Sequence, residues 1–106
     1  MCQCKILHCD TSGYVAYCSN CRYIQFGFDT MVLSLLESEF EDLYTFASKE
    51  FNKNKECEYT IEKCFVYHTS TSFVRLIFSL YDLERLYNLL SPSRIMLQVY
   101  NLTSAG

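Results

Sequence analysis

The segment Cys18-Ser19-Asn20-Cys21 lies between two β-rich runs, Tyr14 to Tyr17 and Arg22 to Phe28, and it constrains the fold more than any other part of the chain. Two thiols separated by two residues at the tip of a hairpin can point into one tetrahedral site, which is how zinc knuckles are built. Ile24, Phe26 and Phe28 alternate, so one face of the second strand is apolar. Asp29-Thr30 is the next turn signal, and the apolar run Met31 to Leu36 predicts a third strand buried on both faces.

A tetrahedral site needs four ligands, and Cys2, Cys4, His8 and Cys9 all precede the hairpin within about one strand length. The expected set is Cys4, Cys9, Cys18 and Cys21, with His8 and Cys2 as alternates. Cys2 is terminal and costly to order, and the neighbours His8 and Cys9 do not both turn inward easily. Thiolate-rich coordination selects zinc over magnesium or calcium, which prefer oxygen, with iron the minority alternative. A closed four-ligand site is structural, because it leaves no position open for a reacting water. The redox reading of Cys-x-x-Cys wants a helix N-terminus at the first cysteine, whereas strand-like residues follow Cys21.

Seven cysteines are an odd number, and Met1 to Cys9 lacks the basic and then apolar pattern of a secretory signal. The expectation is a cytoplasmic chain with reduced thiols and no membrane span, since the most apolar stretch, Val66 to Leu80, is broken by His68, Arg75 and several hydroxyls. Charge is concentrated in the middle: Glu37 to Cys64 carries eight acids against four lysines. No basic run marks a phosphate-binding face, which disfavours generic nucleic-acid binding.

At Ser38 the pattern changes. Ser38 and Glu41 make a capping-box signal, and Leu36, Phe40, Leu43, Tyr44, Ala47 and Phe51 follow at helical spacing, predicting an amphipathic helix with an acidic outer face. A polar link then leads to two further strands, Ile61 to Tyr67 and Phe73 to Ser79. Ser79 with Asp82 is a second cap signal, ahead of a helix through Leu83, Leu86, Tyr87 and Leu90. Ser91-Pro92 predicts the start of a separate short helix containing Ile95, Val99 and Leu102.

Sliding the chain by 43 residues lays Glu39-Phe40-Glu41-Asp42-Leu43-Tyr44 on Asp82-Leu83-Glu84-Arg85-Leu86-Tyr87. This suggests an internal repeat, 22–51 and 65–94, within a single domain spanning 1–106. The fold class expected is α+β: a small antiparallel sheet from two strand–strand–helix units, with a zinc-knuckle-like hairpin at the N-terminal end.

Elsewhere the chemical signals are weaker. Cys57, Cys64 and His68 match no metal spacing, and Cys64 reads as a buried structural thiol. His68 beside Ser70 and Thr71 lacks a carboxylate placed by the sequence to orient it, so no catalytic residue is assigned. Tyr14, Tyr17, Tyr23, Phe26 and Phe28 could stack bases, but core or interface packing is the plainer reading.

The segment with Gly13-Tyr14-Val15, Cys18 and Cys21, Ile24-Gln25-Phe26-Gly27-Phe28 and Glu37-Ser38-Glu39-Phe40 resembles a family of short uncharacterised bacterial proteins of unknown function. The resemblance continues through Arg75 to Ser79 and Leu83 to Leu90. It implies an N-terminal Cys/His cluster and no known enzyme activity. Members often carry Gly after the second cysteine and a Phe-Gly turn after the next strand, where this chain has Arg22 and Phe28-Asp29.

The sequence thus points to a non-enzymatic zinc-binding interaction or regulatory module, with a partner protein or a second copy as its partner. A nucleic-acid-binding knuckle, or a thiol redox sensor using Cys18 and Cys21, is the alternative.

Overall fold

The computed structural model describes residues 4–56 and 62–104. Strands β1 (Cys4–Asp10), β2 (Gly13–Cys18), β3 (Tyr23–Phe28) and β4 (Met31–Leu35) lead into helix α1 (Glu37–Asn54). Strands β5 (Phe65–His68) and β6 (Arg75–Phe78) then lead into helix α2 (Leu80–Ser104). The first four strands form an antiparallel meander in chain order, and β5 and β6 pair separately. The α+β class is as expected, but the strands form two sheets instead of one. The expected strand start at Ile61 lies outside the described residues.

Alternation divides the larger sheet. Val15, Tyr17, Ile24, Phe26 and Phe28 bury one face against Phe40, Leu43 and Ala47 of α1 and Leu83, Leu86, Leu89, Leu90 and Leu97 of α2. Phe78 of β6 enters the same core edge-on to Phe28, ring centroids 6.2 Å apart. Among the described residues no helix covers the other face, and Ile6, Tyr23 and Val32 are exposed. This corrects the reading of β4 as buried on both faces: Met31, Leu33 and Leu35 are half-buried inward, while Val32 and Ser34 point to solvent.

Two glycines allow the meander to close tightly. A β-carbon on Gly13 would stand 1.9 Å from the Gly27 carbonyl oxygen, and one on Gly27 would stand 2.4 Å from the Tyr14 ring. The Tyr14 ring therefore packs across the bare backbone of Gly27 on the open face, with its hydroxyl 3.3 Å from Gln25 Oε1.

Both helices start with an acid reaching back. Glu39 Oε1 accepts from the Leu36 N–H at 2.8 Å, and Asp82 Oδ2 accepts from the Ser79 N–H at 3.0 Å. The 43-residue shift carries one N-cap onto the other, and it also carries Tyr44 onto Tyr87, whose rings stack across the helix pair with centroids 6.2 Å apart. At α2 the box is reciprocal, since Ser79 Oγ accepts from the Asp82 N–H at 3.0 Å. At α1 the expected Ser38–Glu41 box gives way to an earlier start at Leu36, and Glu41 instead holds Arg94 at 3.0 Å.

The helix break expected at Ser91-Pro92 is absent, and α2 runs through Pro92. The carbonyl that loses its donor belongs to Asn88, an exposed residue, and the inward face from Leu83 to Leu97 continues unbroken. The Ser93 hydroxyl donates to the Leu89 carbonyl at 2.7 Å inside this stretch.

Asp82 is buried, accepts from Ser79 and Lys63, and lies 3.4 Å from Arg85, which also pairs with Asp29 and Ser12. Burial alone would raise its pKa, but the bonds from Lys63 and Ser79 outweigh that and hold the carboxyl below the usual range. A depressed folded-state pKa means that the stability from this group is present above the unfolded value of about 3.9 and is lost as pH falls through the lower folded value. Asp82→Asn is therefore expected to cost about 1–3 kcal/mol at pH 7. Urea titrations of both proteins should show the difference shrinking below about pH 4.

Candidate thiol site

The β2–β3 turn brings the cysteines of the motif together. The Cys21 N–H points at Cys18 Sγ, 3.4 Å away, and the Arg22 N–H donates to the Cys18 carbonyl at 2.7 Å. This folds the four-residue segment back over the first sulfur and presents an N–H to it. Across the sheet, Cys4 lies directly opposite Cys18 in the β1–β2 register. Cys4 is exposed, whereas Cys18 is buried. Cys4, Cys18, Cys21, Tyr23, Gln25 and Ser34 line a cleft of about 280 Å³ on the open face. Desolvation first, and then the adjoining Cys18 thiol, raise the Cys4 pKa above its ordinary value, because a second negative charge is disfavoured there.

Of the predicted ligands, Cys4, Cys18 and Cys21 line one cleft and Cys9 does not. Cys9 is paired with Tyr14, five residues along the strand from Cys4. At about 3.3 Å per residue the separation is roughly 16 Å, whereas sulfurs sharing a zinc lie about 4 Å apart. His8 is likewise displaced and stands 3.6 Å from Asp10. Cys2 lies outside the described residues, as does Cys57. Cys64 precedes β5 and is exposed instead of buried. Among the described residues, no group of three or more His, Cys, Asp or Glu is gathered as a metal site. Cys4, Cys9, Cys18 and Cys64 are free thiols, whereas Cys21 is disulfide-bonded. It differs from the expectation of reduced thiols throughout, and it could serve as a thiolate ligand only after reduction.

Backbone geometry explains two residues that set this chain apart from its resemblance. Arg22 has φ 61° and Asp29 has φ 54°, and they are the positive-φ non-glycine residues among those described. They stand where the resembled sequences often carry glycine, the residue that adopts this conformation without a β-carbon clash. Asp29 is compensated by its pair with Arg85. Arg22 is exposed in the β2–β3 turn, and Arg22→Gly is expected to raise stability by up to about 1 kcal/mol in thermal unfolding.

A second concavity of about 160 Å³ gathers Glu39 and Asp42 of α1, Tyr67 and His68 of β5, and Ser70 of the turn that follows. Sequence reasoning missed the two acids there, because only the tertiary fold brings α1 to the Ser/Thr turn. The Ser70 hydroxyl donates directly to Glu39, so no imidazole nitrogen holds its proton. Glu39 is held below the usual carboxylate range by Ser70 and then by the Leu36 amide.

The family model for DUF6686, described as a family of unknown function, matches residues 1–103. The chain belongs to this family. No curated protein and no solved structure matches it. Membership in DUF6686 agrees with the resemblance to an uncharacterised family and carries no activity with it. No helix among the described residues is long and apolar enough to cross a membrane.

Proposed function

We propose that this DUF6686 chain is a non-enzymatic zinc-binding module in which Cys4, Cys18 and Cys21, once reduced, hold a structural zinc ion. The observation that carries the reading is the pairing of Cys4 with Cys18 across β1 and β2, beside a turn that aims the Cys21 N–H at Cys18 Sγ. Three soft sulfur donors at one end of a sheet suit zinc in preference to oxygen-seeking cations. The metal would fasten the β1 edge to the β2–β3 turn.

The open sheet face supports a protein partner or a second copy over nucleic acid. Its outward strand positions, including Ile6, Tyr14, Tyr23, Gln25 and Val32, carry no lysine or arginine to meet a phosphate backbone.

Metal analysis of protein purified under reducing conditions tests the reading. About one zinc per chain is expected for the natural sequence and for Cys9→Ser, with loss in Cys18→Ser/Cys21→Ser. Cys2→Ser, assayed in parallel, decides whether that residue supplies the fourth ligand. Absence of zinc from a reduced protein that stays cooperatively folded after chelation would overturn it.

A further inference from the structure

Disulfide formation is set by geometry before reactivity. Directly paired residues on antiparallel strands have Cα atoms about 4.5–5.5 Å apart, inside the range of about 4.4–6.8 Å that a disulfide spans. Cys4 and Cys18 are such a pair, both are free thiols, and both line the same cleft. The cleft of about 280 Å³ opens the exposed Cys4 to a small oxidant, while Cys18, only 4% exposed, sits behind it. Among the described residues the other free thiols have no such neighbour in register: Cys9 faces Tyr14 in its strand pair, and Cys64 precedes β5.

We propose that Cys4 and Cys18 form a reversible cross-strand dithiol–disulfide pair, oxidised by a peroxide, that controls metal occupancy. The part concerning metal rests on the zinc reading above. In the first step the Cys4 sulfur attacks the peroxide, the O–O bond breaks, a sulfenic acid forms and one water leaves. The Cys18 sulfur then displaces the sulfenic oxygen as a second water, forming the S–S bond. Two thiols thus lose two electrons and two protons, and hydrogen peroxide is reduced to two waters. A dithiol reductant reverses the change by exchange. Because the pair includes two of the three proposed ligands, the disulfide and the metal exclude each other.

The test treats the reduced full chain, zinc-loaded and metal-free, with limiting hydrogen peroxide, followed by thiol blocking and peptide mass mapping. The expected result is a Cys4–Cys18 linked peptide about 2 Da lighter than its two thiols. Zinc should be released in step with the linkage and recovered after dithiol treatment. Cys9→Ser should behave identically. Cys4→Ser, at an exposed edge position, should stay folded and give no such peptide. Linkage in the metal-free protein, with no zinc found in the reduced protein, supports the pair and removes the zinc reading. Zinc bound in the reduced protein, with Cys4 still open to alkylation after oxidation or with Cys18 linked elsewhere, overturns the pair and leaves the zinc reading standing.

Discussion

Phe26→Ala is expected to lower the stability of the fold by about 3–5 kcal/mol. Phe26 is fully buried on the inner face of β3 and stacks against Phe28, with ring centroids 5.9 Å apart. The sheet and both helices meet around it, so no single side chain can move in to fill the space. For a domain of this size, that loss corresponds to a fall in Tm of roughly 15 °C or more. Thermal unfolding followed by circular dichroism checks it; a shift of only a few degrees would place the packing centre elsewhere.

The second large effect comes from the smallest change. Gly13→Ala is expected to cost at least the upper part of the ~1–3 kcal/mol typical of overpacking. The added methyl would meet the Gly27 carbonyl oxygen at 1.9 Å and its carbon at 2.8 Å, and both are backbone atoms that cannot rotate aside. Relief requires β2 and β3 to separate where Gly13 pairs with Phe28, and the Asp29 N–H bond to the Ser12 carbonyl lies at the same point. Urea unfolding should show a lower midpoint with an unchanged slope. An unchanged midpoint would mean that the two strands do not approach so closely.

These two residues differ in how visible they are in the sequence. Phe26 is legible, because the alternation of Ile24, Phe26 and Phe28 is enough by itself to mark an inner face. The same holds for Ser79 and Asp82, whose spacing is itself the capping signal, and for the apolar stripe of α1 from Phe40 to Ala47. Gly13 is not legible in this way, since nothing local reveals that Gly27 will lie against it. The continuous path of α2 through Pro92 is hidden for a similar reason. Local chemistry marks a helix start there, and burial of Leu89, Leu90 and Leu97 on one side overrides it.

The thiol site shows the same division. The Cys18–Cys21 turn is readable from spacing, but the choice between Cys4 and Cys9 depends on strand register. A shift between Ile6 and His8 complicates that register, and no composition or periodicity discloses it. Register puts Cys4 opposite Cys18 and carries Cys9 to the far end of the hairpin. Likewise, Glu39 and Asp42 reach the Ser70 turn only because α1 and the β5–β6 hairpin pack together.

X-ray absorption at the zinc edge, on reduced protein loaded with one equivalent of the metal, reads the proposed coordination of Cys4, Cys18 and Cys21. The account predicts a first shell dominated by sulfur at about 2.3 Å, which Cys4→Ser should reduce by one sulfur. A shell of nitrogen and oxygen at about 2.0–2.1 Å, unchanged by Cys4→Ser, would contradict it.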